Sequence, residues 1–212
     1  MKTLRLVLGD QLSRDLPSLT DLDPAKDLVL MAEVMSEVTY VKHHKRKIAY
    51  LFSAMRHFAK SLGDDGIVVR YRRLDDADNA GSLAGEVAAA IAVFAPDRIV
   101  VTAPGEYRLA DEMAGWQARF GLAVDIRADT RFLCSLDDFA EWAEGRKSLR
   151  MEFFYRDLRR RYKVLMEGDE PIGGKWNYDA DNRQPPKAGL SAPLPSSFAP
   201  DAITTEVLAL VE

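Results

Sequence analysis

The sequence predicts an α/β fold: a Rossmann-like open parallel sheet of about five strands with helices on both faces. Three observations lead there. Short β-branched apolar runs alternate with longer stretches of helical period. Those runs are almost continuously apolar, as in strands covered by helices on both sides. The chain's 212 residues also suffice to bury roughly 70% of the unfolded surface without disulfides or a structural metal.

In order along the chain, the predicted strands are residues 3–8, 27–33, 66–71, 98–102 and 122–126. Between the second and third, Ile48, Leu51, Phe52, Met55, Phe58, Ala59 and Leu62 recur at helical spacing, with Gly63 as the stop. A second helix spans 82–94, with Ser82 as N-cap and Pro96 beyond its end. A third spans 106–120, closed by Gly121, and two more are expected at 137–144 and 151–167.

After Gly168 come six of the ten prolines, Pro171, Pro185, Pro186, Pro193, Pro195 and Pro200, which predict an extended linker without regular structure. A last amphipathic helix then begins with Thr204 or Thr205 as cap and breaks off. The expected divisions are an α/β domain at 1–145, a basic aromatic helix at 146–168, and a Pro-rich linker with the start of a truncated helix at 169–212. Such an ending suggests the front half of something larger.

The composition, 47% hydrophobic and 29% charged, is that of a soluble globular chain. No apolar run at the N-terminus is long enough for a signal peptide or a membrane span, so a cytoplasmic location is expected. A single cysteine, Cys134, excludes an internal disulfide and a cysteine-rich cluster built by this chain alone; a buried apolar role is expected for it. The net charge of −4 gives no global attraction to nucleic acid. Locally, eight basic residues stand against Glu152 and Asp157 between Arg146 and Lys163, and a second cluster runs from Lys42 to Lys47; a solvated face is the simpler reading of both. The loop acids Asp75, Asp76 and Asp78 are read the same way, and His43, His44 and His57 as surface histidines.

In open parallel sheets ligands bind beyond the C-terminal strand ends. Gly9, Asp10, Gln11 and Leu12 follow the first strand; Glu33, Glu37 and Tyr40 follow the second; Pro104, Glu106 and Tyr107 follow the fourth. Glycine allows close approach, the carboxylates and amide suit hydroxyls and a polar heterocycle, and tyrosine suits a flat ring. Asp10 could equally cap a turn, and acids four apart also arise on an exposed helical turn. No glycine-rich dinucleotide or P-loop motif is present, and no catalytic constellation emerges. The residues alone point to an α/β domain that binds a planar, hydroxylated ligand.

Five segments, LRLVLGDQLS, AEVMSEVTYVKHHKRKIAYLFSAMRHFA, TAPGEYRL, MEFFYRDLRRRYKVLM and GGKWNYDADNR, together resemble the N-terminal part of deoxyribodipyrimidine photolyase-related proteins, the iron–sulfur bacterial cryptochromes and photolyases. The resemblance covers nearly all of residues 1–212. It implies an antenna domain that binds 6,7-dimethyl-8-ribityllumazine. Gly9, Asp10, Gln11 and Leu12 would line the ring; Glu33, Glu37 and Tyr40 would contact the ring edge and ribityl chain, with Glu106 nearby and Leu12 and Met35 as apolar walls. It further implies a helical domain, absent here, carrying FAD and a [4Fe-4S] cluster for light-driven repair of damaged DNA or blue-light sensing. The chain alone would then lack the catalytic part of such a lyase. Residues 151–167 and 173–183 would pack near that missing partner, and exposed Phe153, Phe154, Tyr155 and Trp176 would favour self-association. The alternative is a free-standing nucleotide-binding or adaptor domain.

Overall fold

The computed structural model describes residues 1–183, 185 and 188–212; for 181 and 182 only the backbone is described. Pro186 of the predicted linker lies outside the described residues. Contacts divide the chain into two compact units, Met1–Arg131 with Ala199–Glu212, and Phe132–Phe198. The terminal helix belongs with the first unit.

The first unit is the predicted parallel sheet. Strands β1 (Thr3–Leu6), β2 (Leu28–Ala32), β3 (Val69–Arg72), β4 (Arg98–Thr102) and β5 (Ala123–Arg127) lie in the order β3-β2-β1-β4-β5, all neighbours parallel. The direction of strand addition reverses at β1 and β4, which places the crevice beyond their C-terminal ends.

Alternation along the central strands feeds two cores. Leu4, Leu6, Leu28 and Leu30 pack with α3 (Leu83–Phe94), α4 (Tyr107–Ala114) and α5 (Trp116–Phe120). Val7, Val29 and Met31 face α2 (Lys45–Asp64) and α9 (Ala202–Val211), where Val207 is fully buried. Arg5 interrupts the apolar run of β1 yet is buried; its guanidinium bonds to Asp27 at 2.8 Å, Asp21 at 2.6 Å and the Ser18 carbonyl.

Several boundaries differ from expectation. Helix α2 runs one residue past Gly63, and the left-handed turn falls on Gly66 (φ 80°). The predicted helix at 106–120 breaks at Gly115, which lets Trp116 enter the core. Ser82 caps α3 as expected, its Oγ accepting from the Gly85 amide at 3.2 Å. The last helix is capped by Asp201, not by Thr204 or Thr205; its Oδ1 accepts from the Thr204 amide at 2.8 Å. Among the described residues no helix is long and apolar enough to cross a membrane.

In the second unit, α6 (Leu136–Ala143) starts with a capping box made by Ser135 and Asp138. Helix α7 (Met151–Tyr162) ends well before Glu167, because Lys163 and Leu165 turn to positive φ. A two-stranded ladder, β6 (Met166–Glu167) with β7 (Glu170–Pro171), and a single helical turn, α8 (Asp179–Asn182), give the proline-rich stretch more structure than its composition suggests. Phe154 is not exposed; it packs against Phe139 and Trp142 with centroids 5.2 and 4.9 Å away. Trp176 is half-buried beside Arg156, Arg159 and Arg160, whereas Phe153 and Tyr155 are exposed as expected. Cys134 is half-exposed rather than buried, with its thiol pushed above the usual range by desolvation and the nearby Asp138.

Candidate functional site

Three strand exits build one cavity of about 280 Å³, near the small end of small-molecule sites. Beyond β1, Leu8 leads into Gly9 and Asp10. A Cβ on Gly9 would stand 3.0 Å from the Met55 sulfur and 3.4 Å from Leu51, so glycine lets the strand exit pass close beneath α2. At the end of β2, Ala32 and then Val34 lead into the short helix α1 (Met35–Thr39), which carries Glu37 and is followed by Tyr40. Beyond β4, Pro104, Gly105 and Glu106 lead into α4.

Leu8, Val34, Leu51, Phe52, Met55 and Leu109 make an apolar floor, while Asp10, Glu37, Tyr40, His43, Lys47 and Glu106 stand among the lining as polar groups. Arg108 organises the polar side. It donates to Glu37 at 2.6 and 3.2 Å and to Glu106 at 3.0 and 3.3 Å, and its guanidinium lies 4.5 Å from the centre of the Tyr40 ring. Hydrogen bonding to Glu37, then to Glu106, raises the Arg108 pKa further above its already high value. The ring of His43 meets Tyr40 edge-on at 5.4 Å.

Of the eight candidate binding residues, the structure brings Gly9, Asp10, Glu37, Tyr40 and Glu106 to this cavity. It does not bring the other three. Gln11 is fully buried, and its carboxamide donates at 3.2 Å to the carbonyls of Thr102 and Ala103, stitching the β1 exit to that of β4. Leu12 packs into the core shared with α2. Glu33 is fully buried, with its oxygens taken by Arg56 at 2.7 and 2.9 Å, the Tyr71 hydroxyl at 2.6 Å and the Leu74 amide at 3.0 Å. Burial, followed by the charge and hydrogen bond of Glu33, drives the Tyr71 pKa far above its ordinary value. Pro104 lines the cavity; Tyr107 and Met35 are exposed and do not.

Sequence reasoning missed Arg108, which stands like a solvated helical arginine, and treated Leu51, Phe52 and Met55 only as core. Their shared helical face was visible, but that it passes beneath the Gly9 exit was not.

The sequence pattern described as deoxyribodipyrimidine photo-lyase-related protein matches residues 5–212. The chain belongs to this family. It is 54% identical over its whole length to a (6-4) photolyase of Agrobacterium fabrum (strain C58 / ATCC 33970), and spans 42% of that relative's length. It is also 25% identical over 149 residues to an uncharacterized protein of Acanthamoeba polyphaga mimivirus, covering 68% of this chain and 74% of that one. The photolyase-related sequence thus holds its crevice on a five-stranded parallel sheet, with an apolar floor and a carboxylate-rich mouth.

Proposed function

We propose that this chain is the antenna part of a photolyase-related protein and that its strand-end cavity binds 6,7-dimethyl-8-ribityllumazine. The observation that carries the reading is the division of the cavity: apolar side chains for a flat ring, and carboxylates with a phenol for a hydroxylated tail. The residues present fit such a molecule. Leu51, Phe52, Met55 and Leu109 would pack on the ring and exclude water; Asp10 and Glu37 would accept from hydroxyls, and Tyr40 would cover the mouth.

When bound, the pigment supplies near-ultraviolet and blue absorption and passes excitation through space to a flavin. The protein's task is to hold and dry the ring. In this reading FAD and the iron–sulfur cluster belong to sequence that the longer relative has beyond the matched part, since one cysteine cannot ligate a four-cysteine cluster. Photorepair of damaged DNA belongs likewise to the longer protein, in the cytoplasm, and the exposed Phe153 and Tyr155 would serve contacts with other protein surfaces.

Mixing the purified chain with the lumazine should give a shifted absorption band and altered fluorescence. Glu37→Ala should weaken binding about tenfold or more, and Tyr40→Phe less. Unchanged affinity in both variants would remove the site assignment. Calorimetric titration with ATP and FAD in parallel separates the alternative: tighter binding of either nucleotide than of the lumazine would make this a nucleotide-binding domain.

A further inference from the structure

We propose that Arg108 is a positioning residue that clasps the two lips of the crevice and sets how firmly the chromophore is held; this rests on the cavity being the lumazine site. Glu37 belongs to the segment after β2 and Glu106 to the segment after β4, and β1 separates those two strands in the sheet. No strand ladder therefore joins the lips directly. Arg108 does so through its side chain: one guanidinium engages both oxygens of Glu37 and both of Glu106, while its face lies over Tyr40.

The chemistry of this fork has two consequences. Glu37 Oε1 accepts from Arg108 and from the Ser36 hydroxyl, whereas Oε2 accepts from Arg108 alone and retains a second lone pair, so Glu37 is fixed in direction and can still accept from a ligand hydroxyl through Oε2. Without the guanidinium, Glu37 and Glu106 would lose the cation that pairs them, leaving Lys47 as the cation in the lining, and Tyr40 would lose the cation that lies over its ring. The side chains of Arg108, Glu37 and Glu106 are 37%, 26% and 40% exposed. Pairs so exposed contribute little to global stability. The clasp therefore acts on the mouth and not on the fold.

The test compares the wild-type chain with Arg108→Met and Arg108→Lys. Four quantities are measured: lumazine dissociation rate, fluorescence anisotropy of the bound pigment, backbone amide exchange at residues 35–40 without ligand, and the thermal midpoint. Arg108→Met should release the pigment about tenfold faster or more, lower its anisotropy and speed amide exchange at 35–40. The thermal midpoint should shift by about 3 °C or less. Arg108→Lys should recover only part of the slow release, because an ammonium has three donors and no planar fork, and cannot engage all four carboxylate oxygens as the guanidinium does.

Unchanged release and exchange in Arg108→Met would overturn the clasp. So would a fall in thermal midpoint that tracks the loss of binding, since Arg108 would then be a fold residue. If the wild-type chain binds no lumazine, the chromophore reading fails by itself. Amide exchange then decides the clasp: faster exchange in Arg108→Met supports it, and equal exchange overturns it.

Discussion

Glu33 and Glu37 stand four residues apart on one segment, each bound to an arginine and each near a tyrosine, yet they belong to different regions. Glu33 is sealed between β2 and α2, its carboxylate saturated by Arg56, Tyr71 and the Leu74 amide. Glu37 sits at the crevice mouth, a quarter exposed, and shares Arg108 with Glu106. Glu33 closes the β2 exit just behind the cavity wall formed by Ala32 and Val34, which leaves Glu37 to face the crevice. The same residue type thus serves as a fastener where water is excluded and as an available acceptor where it is not.

The largest expected effect breaks this comparison directly. Glu33→Ala leaves the buried Arg56 with only the longer 3.6 Å contact to exposed Glu206 and strips the Tyr71 hydroxyl and Leu74 amide of their acceptor, and should cost about 3 kcal/mol of unfolding free energy, read from urea denaturation. Glu37→Ala removes a solvent-screened pair and should cost about 1 kcal/mol or less. If the two variants are equally destabilised, the distinction between fastener and mouth is wrong.

A second variant follows the sealed region outward. Arg56 also reaches Glu206 on α9 at 3.6 Å, and Arg73 meets the same carboxylate at 3.2 Å. Beside them Val207 is fully buried against the α2 core. Val207→Ala should cost about 2 kcal/mol by lost burial and incomplete collapse. Pigment affinity should stay unchanged if the two regions are independent, and a loss of affinity comparable to that of Glu37→Ala would show that they are coupled.

The sequence carried the fold well because strand and helix signals are local. Apolar runs marked all five strands, and Ser82 declared its helix. The site was legible only to the level of segments. That a residue follows a strand says it is near the crevice, but not which way it turns: Gln11 spends its amide on carbonyls 91 and 92 residues away, and Glu33 finds Arg56 and Tyr71 across the core. Arg108 was invisible for the same reason, since its partner Glu37 lies 71 residues away. Helix ends were misplaced where non-glycine residues, Lys163 and Leu165, take positive φ that composition does not announce.

The smallest expected effect concerns how α9 is held at the margin of the sealed region. His57 Nδ1 lies 2.7 Å from the Ser53 carbonyl and Nε2 lies 2.6 Å from Asp201 Oδ2. Both partners are acceptors, so both ring nitrogens must carry protons and the ring is favoured as a cation. Accordingly the His57 pKa is raised above 6.5, first by Asp201 and then by the Ser53 carbonyl. Asp201 is held down to about 2, first by the Thr204 amide and then by His57. A raised folded value means that the His57 contribution is whole below pH of about 6.5 and fades as pH rises through the raised value. The Asp201 contribution is whole above pH of about 4 and fades as pH falls toward 2. Asp201→Asn retains a good helix cap and removes the charge. The wild-type chain should therefore lose a small increment of thermal stability between pH 6 and 8, on the order of pKa-linked surface effects, and Asp201→Asn should lose less. Parallel pH profiles would show that the pair contributes nothing and that packing at Val207 and the Glu206 contacts hold α9 without it.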